Sequence, residues 1–113
     1  ETAEVVRQIG HAAVKMQLDT GALTINGEDP FAILQDFAPL IGHVHASEPE
    51  LLPLGDGETS HADVVAALKQ YLPHHVVSIE MLATKNEAHE VSIERALNVA
   101  IRHYRNKGIG VKV

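Results

Sequence analysis

Three short apolar runs each end in a residue of the kind that binds hard metal ions. Val14-Lys15-Met16-Gln17-Leu18 runs into Asp19, Leu40-Ile41-Gly42-His43-Val44 into His45, and Val76-Val77-Ser78-Ile79 into Glu80. In a parallel α/β sheet, side chains at the carboxyl ends of neighbouring strands converge on one rim, where such folds place their chemistry. Asp, His and Glu meeting there would form a donor set for a divalent cation such as Mn²⁺, Mg²⁺, Co²⁺ or Zn²⁺. That pattern belongs to an enzyme, although 113 residues look short for a whole one.

The elements that would position these residues follow from periodicity and punctuation. Val5, Val6 and Ile9 recur at helical spacing and Gly10 stops that helix. A first strand is expected over 14–19, and a polar loop over 20–29, where Gly21 and the Asn26-Gly27 pair are turn signals. Asp29 caps the next helix, with Pro30 at its first position and Phe31, Leu34 and Phe37 on one face. The second strand follows Pro39, and the loop after His45 carries Pro49, Pro53, Gly55 and Gly57. Ser60 or Thr59 caps a helix with Val64, Val65, Leu68 and Leu72 inward; Pro73 closes it, and the third strand spans 75–80. A long helix over 89–105 should turn Val91, Ile93, Ala96, Leu97, Ala100 and Ile101 inward and end at Gly108. The tail 109–113 is a fourth short strand or a disordered end. The fold class is therefore α/β, one domain over 1–113 with three to four parallel strands alternating with helices.

Composition narrows the partners. The net charge is −6 and no basic stripe is present, which argues against nucleic acid; Arg102, Arg105 and Lys107 read as complements to a helix dipole. No apolar run approaches about 18 residues, so no membrane span is expected. The start, Glu1-Thr2-Ala3-Glu4, lacks the features of a signal peptide and an initiator Met, as in a processed or excised piece. The absence of cysteine removes thiolate ligands and fits a reducing cytoplasm.

Taken in order, Val14 to Thr20, Ile41-Gly42-His43-Val44-His45, Pro53-Leu54-Gly55-Asp56-Gly57 and Val77-Ser78-Ile79-Glu80 resemble the second half of a sugar isomerase/epimerase. The family resembled is the xylose-isomerase-like TIM-barrel superfamily, and the likeness covers residues 1 to about 105. It implies the C-terminal half of a (β/α)₈ barrel. It also implies a divalent metal held by Asp19, His45 and Glu80, with a first glutamate ligand on a strand upstream of Glu1. The implied chemistry is proton transfer next to the carbonyl of a small sugar or sugar phosphate through a metal-stabilised enediolate, with Glu80 as one of two catalytic carboxylates. A fragment without the partner glutamate is expected to be inactive alone. Ketose epimerases carry a substrate-binding His three residues after the Asp ligand, where Ala22 stands here. They also place an Arg in the loop after the His ligand, where Leu51 or a neighbour stands. Both departures point away from a ketose epimerase and leave the superfamily in place. A sugar or cyclitol dehydratase of that superfamily, or a non-catalytic self-associating module, are the alternatives.

The remaining candidates are weighed against simpler roles. His43 and His45 are two apart and share a strand face. The outer one reaches the rim, so His45 is the expected ligand and His43 a supporting residue in the layer below. Glu48 and Lys85 lie in the loops after His45 and Glu80. They read as solvated residues that could contact substrate, Lys85 through a phosphate or carboxylate. His11, His61, His74, His75, His89 and His103 are expected at the surface or as caps. An unclosed sheet would expose Val14, Met16, Val44, Val76 and Ile79 on its inner face, and such a patch predicts a homodimer joined through the sheet edges.

Overall fold

Four apolar runs lie side by side as parallel strands: β1 (Met16–Asp19), β2 (Ile41–Ala46), β3 (Val76–Ile79) and β4 (Gly110–Lys112), in sheet order β1-β2-β3-β4. The computed structural model describes residues 1–112. Sheet order follows chain order, and helical crossovers join the parallel strands. Helix α1 (Thr2–Ile9) precedes β1, α2 (Thr20–Asn26) and α3 (Pro30–Phe37) join β1 to β2, α4 (His61–Tyr71) joins β2 to β3, and α5 (His89–His103) joins β3 to β4. The tail thus forms a fourth strand at Gly110–Lys112, and Val113 lies outside the described residues.

Helix α2 replaces the polar loop expected over 20–29. The Asp19 carboxylate accepts a hydrogen bond from the Ala22 N–H and caps the helix, and Gly27 closes it in the left-handed conformation at φ 65°. Asp-Thr-Gly and Asn-Gly serve turns and helix ends alike, and the burial of Leu23 settles the choice for helix. Helix α3 is capped by Asp29 with Pro30 in its first turn, as its sequence suggests.

Cross-strand register decides which face is core. Leu18, Val44, Val77 and Val111 are successive lateral partners, the first three of them buried. Helices α3, α4 and α5 cover this side with Leu34, Val64, Leu68, Ala96 and Val99. The next row, Asp19, His45, Ser78 and Lys112, lies on the opposite, open face. The expected apolar inner face is therefore corrected. Met16 and Ile79 pack against the core, Val44 is fully buried, and Val76 remains at 42% exposure beside polar neighbours. With a side-chain period of two, a strand placed one residue out of step exchanges its faces, and the apolar runs alone do not reveal the step.

Helix α5 is rotated in the same way. Ser92, Ala96, Val99 and Ala100 are buried, whereas Val91, Ile93 and Ile101 are exposed. In α4, Val64, Val65, Leu68 and Leu72 are buried as expected, although Ser60 at its N-cap bonds the Asp63 side chain rather than the backbone.

Candidate metal centre

The carboxyl ends of β1 and β2 and the residue after β3 bring Asp19, His45 and Glu80 together. One donor atom from each lies within 4.8 Å of the others. His45 Nδ1 is 2.9 Å from Glu80 Oε2 and 4.0 Å from Asp19 Oδ2. Backbone pairing sets this alignment: Asp19 is the lateral partner of His45, and the Glu80 N–H donates to the Ala46 carbonyl. Asp19 Oδ1 accepts from the Ala22 N–H and the Ser47 hydroxyl, both at 2.8 Å, which turns Oδ2 towards His45.

The donor set suits a cation. Gln17 Nε2 lies 2.9 Å from the same Nδ1 that meets Glu80. With a lone pair, Nδ1 accepts from the Gln17 amide; with a proton, it donates to the Glu80 carboxylate, and a half-turn of the amide then presents the Gln17 oxygen instead. Asp19, His45 and Glu80 are the residues that would hold a divalent ion, an imidazole and two carboxylates being donor types that such ions take. Bonds of about 2.1 Å place adjacent octahedral donors about 3 Å apart, close to the His45–Glu80 separation.

His43 is exposed, and its ring stands edge-on to His45 with centroids 4.7 Å apart, so it buttresses the His45 ring from the open face. Lys85 is exposed beside Leu82 and Thr84 and is not gathered with the other candidates. Glu48 is corrected from a solvated loop carboxylate to a buried one, 1% exposed. Its oxygens accept from the N–H groups of Gly55 (2.6 Å) and Thr59 (2.9 Å) and meet His61 Nε2 at 2.9 Å. Burial works to raise its pKa, but the bonds from His61, Thr59 and Gly55 outweigh that and hold it below the ordinary 4.5. His61 is likewise not a surface or capping residue: it is buried between Glu48 and the Tyr104 hydroxyl, 2.7 Å from Nδ1. Burial pushes the Tyr104 phenol up, so it stays protonated.

The Gly55-Asp56-Gly57 turn has two distinct uses. A Cβ on Gly57 would lie 2.8 Å from Glu48 Oε1, so only glycine lets the carboxylate in. Asp56 receives two hydrogen bonds from Arg95 of α5, which also grips Glu87 bidentately and ties both rim loops to that helix. Sequence reasoning passed over Gln17, Ser47, His61, Tyr104 and Arg95. Gln17 was within reach, because it is two residues before Asp19 and shares its face. An apolar groove of about 260 Å³ between β3 and α5 is lined by Ile79, Met81, Leu82, Ile93 and Leu97. It offers few groups to orient a polar substrate.

No curated protein matches the chain. The family model described as "Xylose isomerase-like TIM barrel" matches residues 1–106, nearly the whole length. Four parallel strands in chain order, with Asp, His and Glu gathered at one rim, are the structural counterpart of that match. The chain belongs to the xylose isomerase-like TIM barrel family and forms half of such a barrel.

Proposed function

We propose that Asp19, His45 and Glu80 hold a divalent cation and that the chain serves a sugar isomerase/epimerase-type reaction. That reaction is proton transfer next to the carbonyl of a small sugar or sugar phosphate. The observation that carries this reading is the convergence of His45 Nδ1 and two carboxylates at the strand ends of a chain of this family. When bound, the cation polarises the carbonyl oxygen and offsets the negative charge that develops on it. Asp19, with Oδ1 held by Ala22 and Ser47, has little freedom and acts as a ligand. Glu80 has the most open side chain, 41% exposed against 24% for Asp19 and 21% for His45, and is the group to take the proton from one face of the substrate. Gln17 steers the His45 ring. Proton delivery from the other face of the substrate needs a second carboxylate, so the chain alone is expected to bind metal with little or no turnover.

Calorimetric titration with Mn²⁺ tests this, with EDTA as control. Binding should stabilise the fold by about 2.7 kcal/mol at a hundredfold excess over Kd, and Asp19→Asn or Glu80→Gln should abolish the gain. A chain indifferent to Mn²⁺, Mg²⁺, Co²⁺ and Zn²⁺ would be a non-catalytic module.

We further propose self-association through the free edges of β1 and β4. Support comes from their unpaired backbone groups and from the strand number: two copies supply the eight strands of a closed barrel. Light scattering should find a dimer, and a monomer at high concentration would end this proposal.

A further inference from the structure

Behind the three candidate ligands runs a chain of buried polar contacts that the proposed reaction does not use. The Tyr104 hydroxyl meets His61 Nδ1 at 2.7 Å, and His61 Nε2 meets Glu48 Oε2 at 2.9 Å. Glu48 Oε1 accepts from the Thr59 N–H at 2.9 Å, and the Thr59 hydroxyl donates to the Ser47 carbonyl at 3.1 Å. Thr20 grips Ser47 as well, with its hydroxyl donating to the Ser47 carbonyl and accepting from the Ser47 N–H, both at 2.8 Å. The Ser47 hydroxyl accepts from the Gly21 N–H at 2.9 Å and donates to Asp19 Oδ1 at 2.8 Å. Tyr104, His61, Glu48, Thr59 and Ser47 are all buried, and every buried side-chain polar atom among the described residues has a partner.

We infer that Glu48, His61 and Tyr104 are positioning residues: they lock Ser47 against Asp19 and so aim Asp19 Oδ2 at His45 and Glu80. Two features favour this over a network that merely holds a loop. The contacts end on an oxygen of a candidate ligand rather than on backbone alone. The path also has a defined sense at Glu48, whose ionised carboxylate can only accept and so takes the Nε2–H of His61, leaving Nδ1 to the Tyr104 hydroxyl, which can donate or accept. Carboxylates that bind metals are commonly oriented by such outer partners. The proposal rests on Asp19 being a ligand only for its effect on metal binding; the orientation of Asp19 is a property of the metal-free chain.

The test therefore reads both. Tyr104→Phe keeps the ring packing and deletes the outermost hydrogen bond; Ser47→Ala deletes the innermost. In the metal-free chain, three-bond NMR couplings should show Asp19 in one χ1 rotamer, averaged among rotamers in each variant. With Mn²⁺, Ser47→Ala should weaken binding by about tenfold or more, and Tyr104→Phe by less in the same direction. The visible spectrum of bound Co²⁺ should change in both, which a loss of stability alone would not produce. Asp19 couplings unchanged in both folded variants would overturn the inference. A chain that binds no metal, yet loosens Asp19 in both variants, would sustain it and refute the metal reading instead.

Discussion

Two regions of this half barrel are built from nearly the same residue types and end in opposite states. At the rim, Asp19, His45 and Glu80 are a fifth to two-fifths exposed, and His45 Nδ1 meets both the Glu80 carboxylate and the Gln17 amide. In the loop after β2, at the start of α4 and at the end of α5, Glu48, His61 and Tyr104 are buried, and each polar atom has its partner. A carboxylate and an imidazole become ligands or scaffolding according to whether the fold completes their contacts.

The contrast breaks most severely in the closed region. His61→Ala strands a buried carboxylate and should cost about 3–5 kcal/mol in urea unfolding; a loss below 1 kcal/mol would mean that Glu48 finds water instead. Acid unfolding gives the matching sign. Because the folded pKa of Glu48 is depressed, its contribution is present above 4.5 and lost as pH falls through the lower folded value. Glu48→Gln should therefore flatten the acid limb below pH 4.5. A smaller effect belongs to the seam between the regions, where a Cβ on Gly21 would lie 2.6 Å from the Glu48 carbonyl oxygen. Gly21→Ala should destabilise by about 1–3 kcal/mol, measured by thermal unfolding, and an unchanged melting temperature would show that α2 can retreat. The smallest effect is expected at Lys85, exposed on the rim loop: Lys85→Ala should move stability by less than about 0.5 kcal/mol. The same variant should leave Mn²⁺ affinity as it is, and a lost affinity would extend the open region to that loop.

The rim was legible because a strand carries its own ruler. An apolar run that stops at Asp, His or Glu marks both the strand and the side chain at its end, and backbone pairing brings three such ends together. What depends on register was not legible. Met16 and Ile79 could have faced either way until lateral partners were known, so the open face was expected to be apolar and is instead polar. Helix α2 was hidden because its cap and stop residues are also turn residues. The Glu48–His61–Tyr104 network left no local trace. His61 and Tyr104 are 43 residues apart and meet only because α4 and the end of α5 lie together. The spacing of histidines along the sequence cannot report a contact between separate helices.

Asp19 closes a strand, caps α2 through Oδ1 and presents Oδ2 to the rim. One carboxylate thus belongs to two equilibria, the winding of a short helix and the occupancy of a site. On the metal reading proposed above, a cation at the rim would draw electron density from Oδ1 as well as Oδ2 and so would be felt in the first turn of α2. The amide of Ala22, whose proton rests on that carboxylate, becomes a natural gauge of what the rim holds.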